Sequence, residues 1–236
     1  MARFVLLHGA FHGAWCWRDV AARLRAGGHD VTTPTQTGLG ERRHLLSGSI
    51  TLETFVEDLV QHLANEDITA AMLVGHSFAG HAITGAADRV PARIRHLVYL
   101  DAALLEHGEI PFDRSLPETA AEREREARAF GGFAIPPPPP AAFGIPPGPE
   151  AERAASLLCP HPLRTFQTPL MLRNKPGNGL PATYVCCTDP LYANLASSRE
   201  RARRRPGMAW RELATGHDAM LTAPTATADL LMELAR

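Results

Sequence analysis

Ser77, His217 and two aspartates, Asp101 and Asp189, are the side chains whose types and places suit nucleophilic chemistry. A serine hydroxyl is a poor nucleophile until a base accepts its proton. Ser77 lies in Gly75-His76-Ser77-Phe78-Ala79-Gly80, directly after the apolar run Ala71-Met72-Leu73-Val74. This order predicts a strand, a sharp turn that carries the serine, and a helix that small neighbours allow to come close. The usual form of such a turn is G-x-S-x-G. Here its last position is Ala79, still small enough, with Gly80 behind it. A match this short also occurs by chance, and a serine capping a helix is its plain structural reading. The rest of the chain supplies the context.

The base must sit on a loop that reaches the serine. His217, in Thr215-Gly216-His217-Asp218-Ala219, falls between the last strand-like run and a terminal amphipathic segment. The chain has 11 histidines, so a loop histidine alone carries little. Combined with Ser77, it is the predicted base. A third group must hold the imidazole in one tautomer and stabilise imidazolium. Asp189 follows the penultimate strand, the usual place, and Asp101 ends the strand after the serine helix. Both stay open, with the balance towards Asp101, because Pro190 suggests that Asp189 is held in a turn. Asp218, beside His217, points the wrong way for a partner. Donors for a developing oxyanion are expected from the N–H of Phe78 and the N–H of Ala10, with Phe11 as fallback; Gly9 lets that loop approach. Trp17 and Phe143 are candidates for the substrate pocket, although Trp15 and Trp17 also suit helix-to-core packing.

The elements that must position these groups alternate. Strand patterns fall near 2–8, 29–33, 70–76, 94–100, 182–188 and 208–214, and helical patterns near 15–27, 51–65, 78–88, 191–205 and 224–235. Alternation of this kind predicts an α/β fold with a mainly parallel sheet flanked by helices. Residues 103–168 break the pattern. They hold a charged helix candidate, Glu118 to Phe130, and the run Pro136 to Pro140. We read 103–168 as a cap inserted into a core of 1–102 and 169–236. Phe112, Phe130, Phe133, Ile135, Phe143, Ile145, Leu157 and Leu158 are expected to give the cap an apolar pocket. The prolines suit a rigid loop, because apolar residues flank them, more than a ligand for a proline-binding module.

Composition narrows the function. With 236 residues and 45% apolar content, the chain can bury one substantial core. Its 24 basic and 25 acidic residues leave a net charge of −1, which gives no general reason to bind nucleic acid or an anionic membrane. The arginine run from Arg199 to Arg205 reads as a solvated helix C-terminus. No apolar stretch is long enough for a membrane span. Cys16, Cys159, Cys186 and Cys187 form no C-x-x-C pair and read as free thiols. Together with a strand that begins at Arg3, they lead us to expect a cytoplasmic protein without a signal peptide. No His/Cys/Asp grouping has zinc spacing. His12, His76 and His81 read as hydrogen-bonded scaffold.

At these residues the chain resembles the α/β-hydrolase superfamily. His8-Gly9-Ala10-Phe11-His12-Gly13-Ala14-Trp15-Cys16-Trp17 is similar to the opening of the plant methylesterase and hydroxynitrile lyase family. Val98-Tyr99-Leu100-Asp101-Ala102, the proline-rich segment and Thr215-Gly216-His217-Asp218 resemble bacterial esterase-like hydrolases that cleave esters or carbamates. The resemblance implies a cofactor-independent serine hydrolase that needs no metal and cleaves a small carboxylic ester, or a related carbamate or amide, through an acyl-enzyme. Its expected partners are a small-molecule ester and, at most, a second copy of the chain as a homodimer. Two alternatives stay open: a hydroxynitrile-lyase-like activity and a slow-turnover small-molecule receptor. The lyases carry a lysine just after the catalytic histidine, where this chain has Asp218, which speaks against the first.

Overall fold

Every apolar run of the alternating pattern becomes a strand of one sheet. A computed structural model describes residues 1–236. In chain order the core begins with β1 (Arg3–Leu7), α1 (Arg18–Ala26), β2 (Asp30–Thr32), α2 (Leu52–Asn65), β3 (Ala71–His76), α3 (Ala79–Arg89) and β4 (Ile94–Leu100). The intervening segment carries α4 (Pro117–Ala129), β5 (Ala134–Ile135), α5 (Pro149–Leu157), β6 (His161–Pro162) and α6 (Arg164–Gln167). The core then resumes with β7 (Ala182–Cys187), α7 (Ala196–Arg204), β8 (Met208–Leu213), α8 (Ala219–Thr222) and α9 (Pro224–Leu234). The six core strands are ordered β2-β1-β3-β4-β7-β8, and every pairing is parallel.

A parallel sheet needs cover on both faces, and the side-chain alternation supplies two cores. Phe4, Leu6, Met72, Val74, Val98 and Leu100 pack into one cluster with α1 and α9. Val5, Leu7, Leu73, Leu97 and Tyr99 pack into the other with α2 and α3. Central β3 is buried along its whole length. Helix α2 buries Leu52, Phe55, Val56, Leu59 and Leu63 on one face, as their spacing predicts. Each such side chain contributes roughly 1.5–3 kcal/mol when fully removed from water. Thr51 caps α2 in a box with Thr54, whose hydroxyl accepts the Thr51 N–H at 3.2 Å.

Between β4 and β7 no residue joins the main sheet. The expected charged helix is α4, and the expected absence of strands is relieved only by a two-residue antiparallel pair, β5 with β6. That pair is too short, and β6 too proline-limited, to leave a pattern. The proline run is half-buried and leads into Phe143, whose carbonyl accepts the Asp218 N–H at 3.1 Å. Cys159 N–H donates to the Phe11 carbonyl at 3.0 Å. The segment is therefore seated on the two loops expected to carry the chemistry. Arginines on α7 and at its C-terminal end are committed to ion pairs: Arg201 to Glu109, Arg203 to Glu212 and Arg205 to Glu106. All four cysteines are free and buried. No helix is long and apolar enough to cross a membrane.

Candidate active site

The turn after β3 holds Ser77 at φ 53°, in the left-handed region that costs a non-glycine residue energy. Three backbone bonds hold it there. Ser77 N–H donates to the Leu100 carbonyl at 3.2 Å, and the Ser77 carbonyl accepts from Gly80 at 3.1 Å and Ala103 at 2.9 Å. The crowding explains the motif's departure from its usual form. A Cβ at Gly80 would lie 2.1 Å from the Ala103 carbonyl oxygen, whereas Ala79 packs with its methyl fully buried. The residue that must lack a side chain is thus one place further along. On the opposite side, a Cβ at Gly9 would meet Ser77 Cβ at 2.8 Å.

Ser77 Oγ lies 2.9 Å from His217 Nε2, and His217 Nδ1 lies 2.7 Å from Asp101 Oδ2. The carboxylate accepts only, so Nδ1 carries the proton and Nε2 is free to accept the serine hydroxyl. Asp101 is fully buried at the end of β4, with φ 38° and its second oxygen accepting the Cys187 N–H at 3.4 Å. Asp189, the other candidate, is exposed beyond β7 and makes no side-chain contact with His217. The Asp189 N–H donates to the Thr215 carbonyl at 3.0 Å, and of the two candidate carboxylates only that of Asp101 is hydrogen-bonded to the imidazole. The imidazole of His217 is stacked by Tyr192 at 4.0 Å and by Phe143 at 6.3 Å, centroid to centroid.

The loop after β1 is clamped by histidines. His8 donates from Nδ1 to the Gly9 carbonyl at 2.8 Å and accepts the Gln36 N–H at Nε2 at 3.1 Å. Burial holds its pKa down at about 3, so it stays neutral. His161 accepts the Phe11 N–H at Nδ1 at 3.3 Å. This use of the Phe11 amide overturns its role as the fallback oxyanion donor. Ala10 and Phe78 instead line one cavity with Ser77. His12 donates from Nδ1 to the Ala10 carbonyl at 2.7 Å and from Nε2 to Asp218 Oδ2 at 2.9 Å. Burial pushes the His12 pKa down, but the charge and hydrogen bond of Asp218 outweigh it and raise the value. Burial pushes Asp218 up, and His12 outweighs that in turn. The two form a buried ion pair joining the loop after β1 to the residue after His217. His76 adds a second tie, donating from Nε2 to the His217 carbonyl at 3.0 Å.

A profile of the alpha/beta hydrolase family matches residues 4–230. The chain belongs to the alpha/beta hydrolase family. It is 36% identical over 250 residues to a carbendazim hydrolyzing esterase from a Nocardioides species, across 99% of this chain and 100% of that one. It is 27% identical over 257 residues to Methylesterase 10 of Arabidopsis thaliana, across 98% and 91% of the two chains. Among solved structures it is similar to an extracellular alpha/beta-hydrolase from a Paenibacillus species, with a TM-score of 0.87 and 25% identity over 99% of this chain and 98% of that one.

In this alpha/beta hydrolase the cavity at Ser77 differs from its expected lining. Its volume is about 50 Å³, and its apolar wall is Phe78, Phe166, Leu195 and Pro111. Trp17 is not part of it. It is fully buried at the residue before α1, 6.5 Å from the His76 ring, and packs in the core cluster with Val20, Ala21 and Leu24. Phe143 packs against His217, His12 and Phe11 and does not line the cavity. Phe130 and Phe133 are exposed, and Ile135, Ile145 and Leu158 are spent in the core. Besides Pro111 and Phe166 the cap contributes Arg114, Ser115 and Arg123, while Tyr192 and Asn194 come from the segment after β7. These residues left no signal in the sequence, because irregular segments have no period to read. His81 also lines the cavity, its pKa lowered by burial to about 3.

His76, His217 and Asp218 bring possible ligand atoms within 4.8 Å of one another. Both ring nitrogens of His217 are already engaged by Ser77 and Asp101, so a metal there would have to break that chain of bonds.

Proposed function

We propose that this protein is a serine hydrolase that cleaves a small carboxylic ester, or a related carbamate or amide, through an acyl-enzyme on Ser77. The observation that carries the reading is the unbroken chain Ser77–His217–Asp101, with bonds of 2.9 and 2.7 Å. His217 Nε2 takes the hydroxyl proton as Ser77 Oγ bonds to the substrate carbonyl carbon. Asp101 fixes the tautomer and stabilises the imidazolium. The amides of Ala10 and Phe78 donate to the oxyanion, where one such donor is worth about 3–4 kcal/mol of barrier. His217 returns the proton to the leaving alcohol, and the acyl group stays on Ser77. Water, deprotonated by His217, then attacks the acyl carbon, and the acid leaves as Ser77 regains its proton.

The names of the relatives support ester cleavage: one hydrolyses carbendazim and another is a methylesterase. The small cavity supports a compact substrate. No observation favours the lyase reading, since position 218 holds a carboxylate locked to His12. The test is p-nitrophenyl acetate turnover by wild type and Ser77→Ala, with intact-mass analysis after a fluorophosphonate probe. Turnover that vanishes in the variant, with a single adduct on Ser77, is expected. A folded wild type with neither turnover nor adduct would overturn the proposal and favour a receptor.

A further inference from the structure

The cavity at Ser77 holds a charge that ester cleavage does not require. Arg114 and Arg123 both line it, and no aspartate or glutamate does. Arg123 lies on α4, half-buried, and its side chain packs against aromatic rings. Its guanidinium carbon lies 4.8 Å from the Phe166 ring centre and 5.9 Å from that of Phe11. Phe166 in turn packs 4.5 Å from Phe78, the residue after the nucleophile. The cation is therefore linked to the nucleophile turn through two rings, Phe166 and Phe78. Elsewhere in this chain arginines near the core are matched to carboxylates, as Arg89 is to Glu53 and Arg201 to Glu109.

Arg114 is no better satisfied. Its nearest carboxylate oxygen, on Glu109, is 3.8 Å away, and Arg201 already grips Glu109 in a fork. That fork holds the Glu109 pKa down at about 2. The Arg114 Nε is buried with no acceptor. Asn194 accepts from the Thr119 hydroxyl through Oδ1 at 2.9 Å, so its amide donors remain. Arg123, the Arg114 Nε and the Asn194 amide thus keep donors to spare inside the cavity, and the carboxylates of Glu122 and Glu126 line only the outer groove. Arg123, Tyr192 and Asn194 also line an outer groove beside the proline run, which places them between the cavity and the surface.

A buried or half-buried donor without a partner is costly, and a guanidinium fork matches a carboxylate in shape and charge. We propose that Arg123, supported by Arg114 and Asn194, is a subsite for a free carboxylate on the substrate, so that the preferred esters are half-esters of compact dicarboxylic acids. Hydrolysis of such an ester consumes one water and yields a dicarboxylate, an alcohol and one proton released to solvent. The inference rests on the serine hydrolase reading.

The experiment measures kcat/KM for monomethyl glutarate and for methyl pentanoate, its uncharged counterpart, with wild type, Arg123→Gln and Arg123→Lys. Wild type should prefer the half-ester by about tenfold or more, the worth of one charged hydrogen bond. Arg123→Gln should lower that ratio about tenfold, mainly through KM, and Arg123→Lys should restore part of it. Added salt should reduce the wild-type ratio. A wild-type ratio at or below one, or a ratio unchanged in Arg123→Gln, overturns the subsite. If wild type forms the Ser77 adduct and cleaves the neutral ester without preferring the half-ester, only the subsite fails. If it forms no adduct and cleaves neither ester, the hydrolase reading fails with it.

Discussion

Replacing Asp101 by asparagine tests the third member of the proposed catalytic chain with almost no change of volume. The surroundings decide how the new carboxamide must lie. Asp101 Oδ1 accepts the Cys187 N–H, and Oδ2 accepts from His217 Nδ1. A carboxamide has one acceptor oxygen and one donor nitrogen. If its oxygen keeps the Cys187 bond, its nitrogen donates to Nδ1 and drives the imidazole proton onto Nε2. The face towards Ser77 then donates and can no longer accept the hydroxyl proton. If its oxygen turns to His217 instead, two donors meet at Cys187 in a site closed to water, which costs about 1–3 kcal/mol. The first arrangement is therefore favoured. In the serine protease template, the same substitution lowers kcat by about 10⁴, or ~5.5 kcal/mol of barrier. We expect a loss of that order in kcat/KM for p-nitrophenyl acetate, with the circular dichroism spectrum retained. Asp189→Asn, at an exposed position, should stay within about twofold of wild type. A folded Asp101→Asn that keeps a tenth of wild-type activity, or an Asp189→Asn that loses it, would refute this reasoning.

Other outcomes follow from the packing and the charges. Gly80→Ala gains about 1 kcal/mol of helix propensity but drives a methyl to 2.1 Å from the Ala103 carbonyl; the net loss should be about 2 kcal/mol, a fall in Tm of roughly 4–8 °C by calorimetry. His12→Ala leaves Asp218 buried and unpaired and should cost about 3–5 kcal/mol in urea unfolding, whereas adding Asp218→Ala should cost less than the sum; additive losses would mean that the two do not act as a pair. Burial holds His8 and His81 at about 3, while in the unfolded chain they titrate near 6.5, so acid favours unfolding from pH 6.5 downward. Each should cost about 2 kcal/mol by pH 5. His12, whose pKa is raised, opposes this: its contribution is complete below about pH 6.5 and is lost as pH rises through its folded value. Urea midpoints should therefore fall between pH 7 and pH 5, and a flat profile would contradict the neutral state of the two histidines. A cavity of about 50 Å³ should favour acetate over octanoate p-nitrophenyl esters by at least about tenfold in kcat/KM; equal rates would show that the pocket is not closed.

Local periodicity and turn chemistry made much of this protein legible from its sequence. Apolar runs bounded by turns marked the four inner strands, because a parallel strand covered on both faces must be apolar along its length, while the half-exposed edge strands β2 and β8 keep only scattered apolar residues. The serine turn was visible for a steric reason: only small residues fit beside Ser77, and the crowding at Gly80 is a direct consequence of the turn. His217 was visible because it lies between the last core strand and the final helices. The choice between Asp101 and Asp189 was not visible, since both end strands, and only the direction of the chain beyond each strand brings one to the imidazole. Equally, nothing local revealed that the Phe11 amide is taken by His161, 150 residues away, or that Asp218 pairs with His12 across the site. The cavity wall was the least legible part. Its apolar residues were expected from Phe112, Phe130, Phe133 and Phe143, none of which lines it, whereas Phe166, Arg114 and Arg123 do. Which side of an irregular segment turns inward depends on the surface it docks against, and that surface exists only once the chain has folded.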